Sequence, residues 1–229
     1  MPLRRTAVFL AAAACVAASP SALGVRLPTT PRIPHDAAQA AKCGPDTGSL
    51  ETPACEVVST FDGGEVRSYG AGLLWATTRV EGSYSDASYQ GFERCFAYIS
   101  GTNDQNATIE MTGPVRIQPL DETSSTWKVS FFVPSKFTAG TVPQPTDPTM
   151  AIEAPASSYK AVYGPFGGFP GQSDYEADLK KLQASVAAAG IKLANDKDIT
   201  YAGYSSPFTI LGRHQEVWLD VAGPAVESA

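Results

Sequence analysis

The chain has 229 residues, of which 43% are hydrophobic, 10% aromatic and 17% charged, with a formal net charge of −6. That is ample apolar material for a core, and too much, with too little charge, for a disordered chain. An isoelectric point near 4.9 excludes the broad basic face that nucleic acid requires, and two histidines, His35 and His214, leave little for a histidine-rich metal site.

Arg4 and Arg5 precede an uncharged run from Thr6 to Ala18, followed by Ser19, Pro20, Ser21, Ala22 and Gly24. This order of basic, apolar and small residues predicts a secretory signal peptide over residues 1–24. The run is well short of the roughly 20 residues that span a bilayer, so no stable membrane insertion is expected. Residues 25–54 are rich in Pro, Gly and Thr and read as a linker, in which Pro28, Pro31, Pro34, Arg26 and Arg32 also fit the second half of a bipartite plastid presequence. The expected location is therefore secreted or in the secretory lumen, with the plastid as the alternative.

Cys43 and Cys55 flank the stretch GPDTGSLETPA, where no core can form. In an oxidising compartment a disulfide across it closes a loop of ~13 residues and adds about 3 kcal/mol. Cys95 lies in a helical apolar pattern and reads as a buried thiol. Asn106-Ala107-Thr108 is a glycosylation acceptor in a polar loop.

The body alternates strand and helix signals. Glu65–Tyr69 and Leu73–Val80 are strand-like. Ser85 or Asp86 caps a helix with Tyr89, Phe92, Phe96 and Ile99 at helical spacing, ended by Gly101. Short strands follow around Ile109–Met111 and Val115–Gln118, then Trp127–Val133. After a proline-rich connection come strands at Ala151–Glu153 and Tyr159–Tyr163. Ser173 to Glu176 then reads as a capping box opening a helix with Tyr175, Leu179, Leu182 and Val186 on one side. Gly190 stops it, and Ile199–Tyr204 and Gln215–Val221 are strands. Ser85, Gly101 and Val129-Phe131-Val133 recur about 88 residues later as Ser173, Gly190 and Val217-Leu219-Val221, which indicates an internal duplication of β-β-α-β-β units. Two such units must share one core. The expected fold is α+β: one domain over residues 55–222 with two helices against a curved antiparallel sheet, and a short tail at 223–229.

With these segments in place the chain resembles the SOUL haem-binding protein family. The residues that carry the likeness are Glu65-Val66-Arg67-Ser68-Tyr69, GFERCFAYISGTND from Gly91, IEMTGPV from Ile109, VSFFVPSKF from Val129 and YSSPFTILGRHQEVWLDV from Tyr204. The leading signal and the Cys43…Cys55 pair resemble its secreted, plant-type branch. The resemblance implies a distorted antiparallel β-barrel of two repeats flanked by two α-helices. It also implies a protein that binds haem or porphyrin as a small-molecule partner and is not an enzyme. Carried over by position, the first helix contributes Tyr89, Phe92 and Phe96, and the loop between the last two strands Phe208, Ile210, Leu211 and Arg213. Aromatic faces suit a flat macrocycle, and a guanidinium suits a propionate.

The strand position where some members carry an axial histidine is Ser68 here, and Gly113 replaces a usual alanine. Only His214 remains within the domain as a weak axial ligand, kept neutral by the adjacent Arg213. Exchangeable, roughly micromolar binding of haem and metal-free porphyrin alike is the expectation, as in a carrier or scavenger. Two rival readings stand beside it. One is a hydrolase that uses Glu110 or Glu216 as a cavity base with a raised pKa. The other is a lipid- or protein-interaction module exposing Phe166 and Phe169. The oligomeric state is not legible.

Overall fold

The computed structural model describes residues 43–48, 50–205 and 212–223, with the side chains of Asp196 and Lys197 left aside. The expected signal peptide and Phe208, Ile210 and Leu211 fall outside these residues. The strands are β1 (Cys55–Phe61), β2 (Gly64–Tyr69), β3 (Trp75–Glu81), β4 (Val115–Pro119), β5 (Thr126–Phe132), β6 (Met150–Glu153), β7 (Ser158–Phe166), β8 (Leu193–Gly203) and β9 (Gln215–Val221). They form one antiparallel sheet in the order β1-β2-β7-β9-β8-β4-β5-β3-β6, curled but open, with β1 and β6 at its edges.

That order makes the duplication visible. Outward from the central β8–β4 pair, β9, β7 and β2 on one side answer β5, β3 and β6 on the other. The first strand of each repeat has crossed over: β2 pairs with β7 (Val66 opposite Ala161) and β6 with β3 (Ile152 opposite Ala76). Each half thus completes the sheet of the other, so neither exposes the edge that an isolated repeat would carry.

The first helix is composite: an α turn α1 (Tyr84–Asp86), a π turn over Ala87–Gly91 and α2 (Phe92–Ile99). Its N-cap is Ser83, earlier than the expected Ser85 or Asp86. Asp86 takes the reciprocal role, its carboxylate accepting from Ser83 N at 2.8 Å while Ser83 Oγ accepts from Asp86 N at 3.2 Å. The second helix, α3 (Gln172–Ala188), starts at Gly171 instead of the expected Ser173, directly after Pro170. Gly171 has no side chain to offer, so only half of a box forms, with Asp174 accepting from Gly171 N at 2.9 Å.

Both helices lie on one face of the sheet. Cys95, Tyr98 and Ile99 from the first and Tyr175, Leu179, Leu182 and Val186 from the second share a core with Val129, Phe131, Val217 and Leu219. Where the helix N-termini meet, Tyr175 stacks on Tyr201 at 4.6 Å and Tyr84 closes on both rings at about 6 Å. Among the described residues no helix is long and apolar enough to cross a membrane.

Three other expectations change. Ile109–Met111 is extended coil, not a strand, anchored by Ile109 N donating to Ile99 O at 2.8 Å. Residues 50–54, read as linker, pack on the domain: Glu51 bridges to Thr112, and its carboxylate accepts from Ser135 N. β1 adds a ninth strand beyond the repeats. The Cys43–Cys55 disulfide is present, with Cα atoms 5.7 Å apart.

Candidate functional site

The first helix seats on the sheet through its smallest residues. An ideal Cβ at Gly91 would lie 2.4 Å from Val129 Cγ2, so only glycine permits this approach. Ala87, Gly91 and Cys95 point inward, and the larger aromatics are left at the flank. The anticipated stripe therefore divides. Ile99 enters the core, Phe92 is half-buried against Phe131, Phe96 is 45% exposed and Tyr89 71% exposed. Phe92 and Phe96 stack with centroids 5.8 Å apart and planes within 10° of parallel. The outcome is an open aromatic surface on a helix whose other side is fixed. Cys95 is buried behind it, its thiol pushed up to about 12 by burial.

Strand alternation sends the last hairpin's polar residues to the opposite face. Val217, Leu219 and Val221 join the helix-side core, whereas Glu216 and Trp218 turn away from it. Glu216 is 1% exposed and saturated. Its Oε1 accepts from Arg67 and from His214 Nε2, both at 2.9 Å; its Oε2 accepts from Arg67, Tyr204 and Trp218 at 2.8–2.9 Å. Burial alone would raise this carboxyl, but the His214 hydrogen bond, the Arg67 charge and the Trp218 bond pull it down to about 2. Arg67 is held protonated by the same pairing, against its own burial. A cavity of about 310 Å³, lined by Gly44, Gly64, Arg67, Gly164, His214 and others, opens beside them. It is at the small end of ligand cavities.

This geometry bears on each anticipated residue. His214 Nε2 faces an ionised carboxylate and must carry the hydrogen, which leaves Nδ1 as its remaining nitrogen. The ring lies on the other side of the sheet from Phe92 and Phe96, edge-on to Tyr204. Arg213, expected at a propionate, donates from Nε to Gly168 O at 2.7 Å and lies 4.1 Å over the Phe169 ring. Phe166 packs edge-on to Tyr175, so one of the two loop phenylalanines is internal. Neither proposed base has a raised pKa. Glu216 is lowered, and Glu110 is an exposed coil residue lowered by its hydrogen bond to Lys136. Asn106 is exposed, with φ of 50°.

Sequence reasoning offered Glu216 as a cavity base and missed Arg67 as its partner. The two are 149 positions apart, and no local pattern links them. The missed signal on the helix was Gly91, a glycine inside a helical run, which marks a close approach.

The description "SOUL heme-binding protein" matches residues 50–220 of the chain. Heme-binding protein 2 of Mus musculus is 32% identical over 77% of this chain and 88% of its own length, and heme-binding protein 1 of Mus musculus is 33% identical over 75% and 93%. Among solved structures the EcmrR C-terminal domain superposes with a TM-score of 0.53 at 10% identity, covering 69% of this chain and 96% of that one. At that identity the likeness concerns the fold alone.

Proposed function

The chain belongs to the SOUL haem-binding protein family, and from that premise we propose that it binds haem or a related tetrapyrrole non-covalently and without catalysis, on the aromatic outer side of the first helix. One observation carries the reading: Tyr89 and Phe96 are exposed, with half-buried Phe92 stacked on Phe96, on a helix locked to the sheet by Gly91. The residues suit the ligand. Phe92, braced by Phe131, and Phe96 offer near-parallel rings, and a flat macrocycle gains area and ring contact there at little ordering cost. When bound, the haem supplies its own redox and light-absorbing chemistry. The chain's part would be to hold the macrocycle by contact with Tyr89, Phe92 and Phe96.

Burying roughly 400 Å² of apolar ligand surface at about 25 cal/mol/Å² gives on the order of 10 kcal/mol gross. Association costs of about 4–15 kcal/mol leave exchangeable binding, as suits a carrier or scavenger. A buried carboxylate held near pKa 2 is a feeble base at neutral pH, which supports a non-catalytic role. The signal-like N-terminus and the disulfide favour a secreted protein.

The test is a Soret-band titration with haem and with metal-free porphyrin. The Phe92→Ala/Phe96→Ala variant should bind at least about tenfold more weakly, at ~1 kcal/mol or more per ring. His214→Ala should bind as wild type, and both ligands should bind within a few-fold of each other. Undiminished affinity in the double variant, or binding of haem alone, would overturn the proposal.

A further inference from the structure

On the face of the sheet away from the helices, buried and half-buried cations are matched with acids. Arg67 holds Glu216 and Glu65, Lys128 holds Glu153 at 3.1 Å, and Lys160 holds Asp220. Arg116, on β4 in the middle of this face, is the exception. It is 8% exposed, and among the described residues it has neither an ion pair nor a hydrogen bond. Its guanidinium carbon lies 3.3 Å above the Trp75 ring. The stacked ring offsets part of the charge through the guanidinium face. It cannot receive the N–H groups, which point outward in the guanidinium plane.

Arg116 Nε is accordingly a buried donor without an acceptor, and Gln118 Oε1 is a buried acceptor without a donor. The two residues are two apart on β4 and so share this face. The neighbours are already committed. Ser130, opposite Arg116, pairs with Thr77 at 3.0 Å, and Asp220 and Glu153, the acids nearest in charge to Arg116, are held by their own lysines. Water could accept from Nε and donate to Oε1 but would add no counter-charge to a buried guanidinium whose nearest acids are already paired with lysines, and a buried charge short of a counterion is the costlier defect.

We propose that this spot is an oxyanion site: a phosphate or carboxylate group lies in the plane of the Arg116 guanidinium and accepts from it, while Gln118 Oε1 accepts from the anion's hydroxyl or from a water bound to it. The site is on the opposite face of the sheet from Tyr89, Phe92 and Phe96, so it stands or falls separately from tetrapyrrole binding.

The experiment is thermal unfolding of the full chain at fixed ionic strength, with chloride replaced stepwise by phosphate or by acetate, on wild type, Arg116→Met and Gln118→Glu. The wild-type midpoint should rise saturably with at least one oxyanion, by about 2–4 °C when its concentration is about fivefold above its dissociation constant. Phosphate and acetate arms distinguish the two anion classes. Arg116→Met should lose the dependence. Gln118→Glu, which supplies a carboxylate in place, should lose it as well, and decides the matter should Arg116→Met fail to fold. A wild-type midpoint indifferent to both oxyanions means that water alone fills the spot, and the proposal fails. An equal shift in wild type and Gln118→Glu places the binding elsewhere and also overturns it.

Discussion

Replacing Glu216 by Gln tests the reading of the polar face most directly. The carboxylate receives five hydrogen bonds, two of them from Arg67. Gln keeps the shape but has one acceptor oxygen and no charge, so among the described residues Glu65, at 2.7 Å, is the acid that remains on Arg67. Breaking a buried pair in this way costs about 3–5 kcal/mol. Linkage gives a similar figure. The carboxyl falls from 4.5 to about 2 on folding, which at about 1.36 kcal/mol per unit is worth ~3 kcal/mol. Because the folded-state value is the lower one, this stabilisation is fully present above pH 4.5 and disappears as pH falls through about 2. At roughly 2–4 °C per kcal/mol for a chain of this size, Glu216→Gln should melt about 6–20 °C below wild type at pH 7, followed by far-UV circular dichroism. The gap should close as both proteins are taken towards pH 2. A gap that stays constant with pH, or equal midpoints at neutral pH, would show that Glu216 is not held as an ionised hub.

Gly91→Ala gains up to about 1 kcal/mol of helix propensity but drives a methyl to 2.4 Å from Val129 Cγ2. Overpacking of about 1–3 kcal/mol should dominate; urea unfolding should show a net loss, partly recovered in Gly91→Ala/Val129→Ala, and a stabilised single variant would contradict the close seat. Cys43 and Cys55 are 12 positions apart, so reduction should lower stability by about 3 kcal/mol. The Cys43→Ser/Cys55→Ser variant should reproduce the reduced protein's midpoint and be insensitive to dithiothreitol.

The pattern of the helices and of most strands was legible because it is local. Period-2 and period-3.6 spacings reflect which side of an element meets apolar surface, and they repeat wherever the chain repeats itself. The crossing-over of β2 and β6 between the repeats was not legible, because antiparallel pairing between distant strands leaves no mark within either one. The first helix shows how a local signal misleads. The large apolar residues Tyr89, Phe92 and Phe96 look like the buried side, yet burial went to Ala87, Gly91 and Cys95, because a helix approaches a sheet most closely along its small residues.

By itself, the order of residues determined the repeat, the family, the disulfide pair and which segments bury an apolar side, since each depends on composition or spacing within a short window. Only the folded sheet decided that His214 and Glu216 lie on one face while the exposed aromatics lie on the other, that Glu216 is bound by Arg67, and that Arg116 has no ion pair among the described residues. Those outcomes depend on strand register and on which strands become neighbours, and both are fixed only when the two halves close on one another.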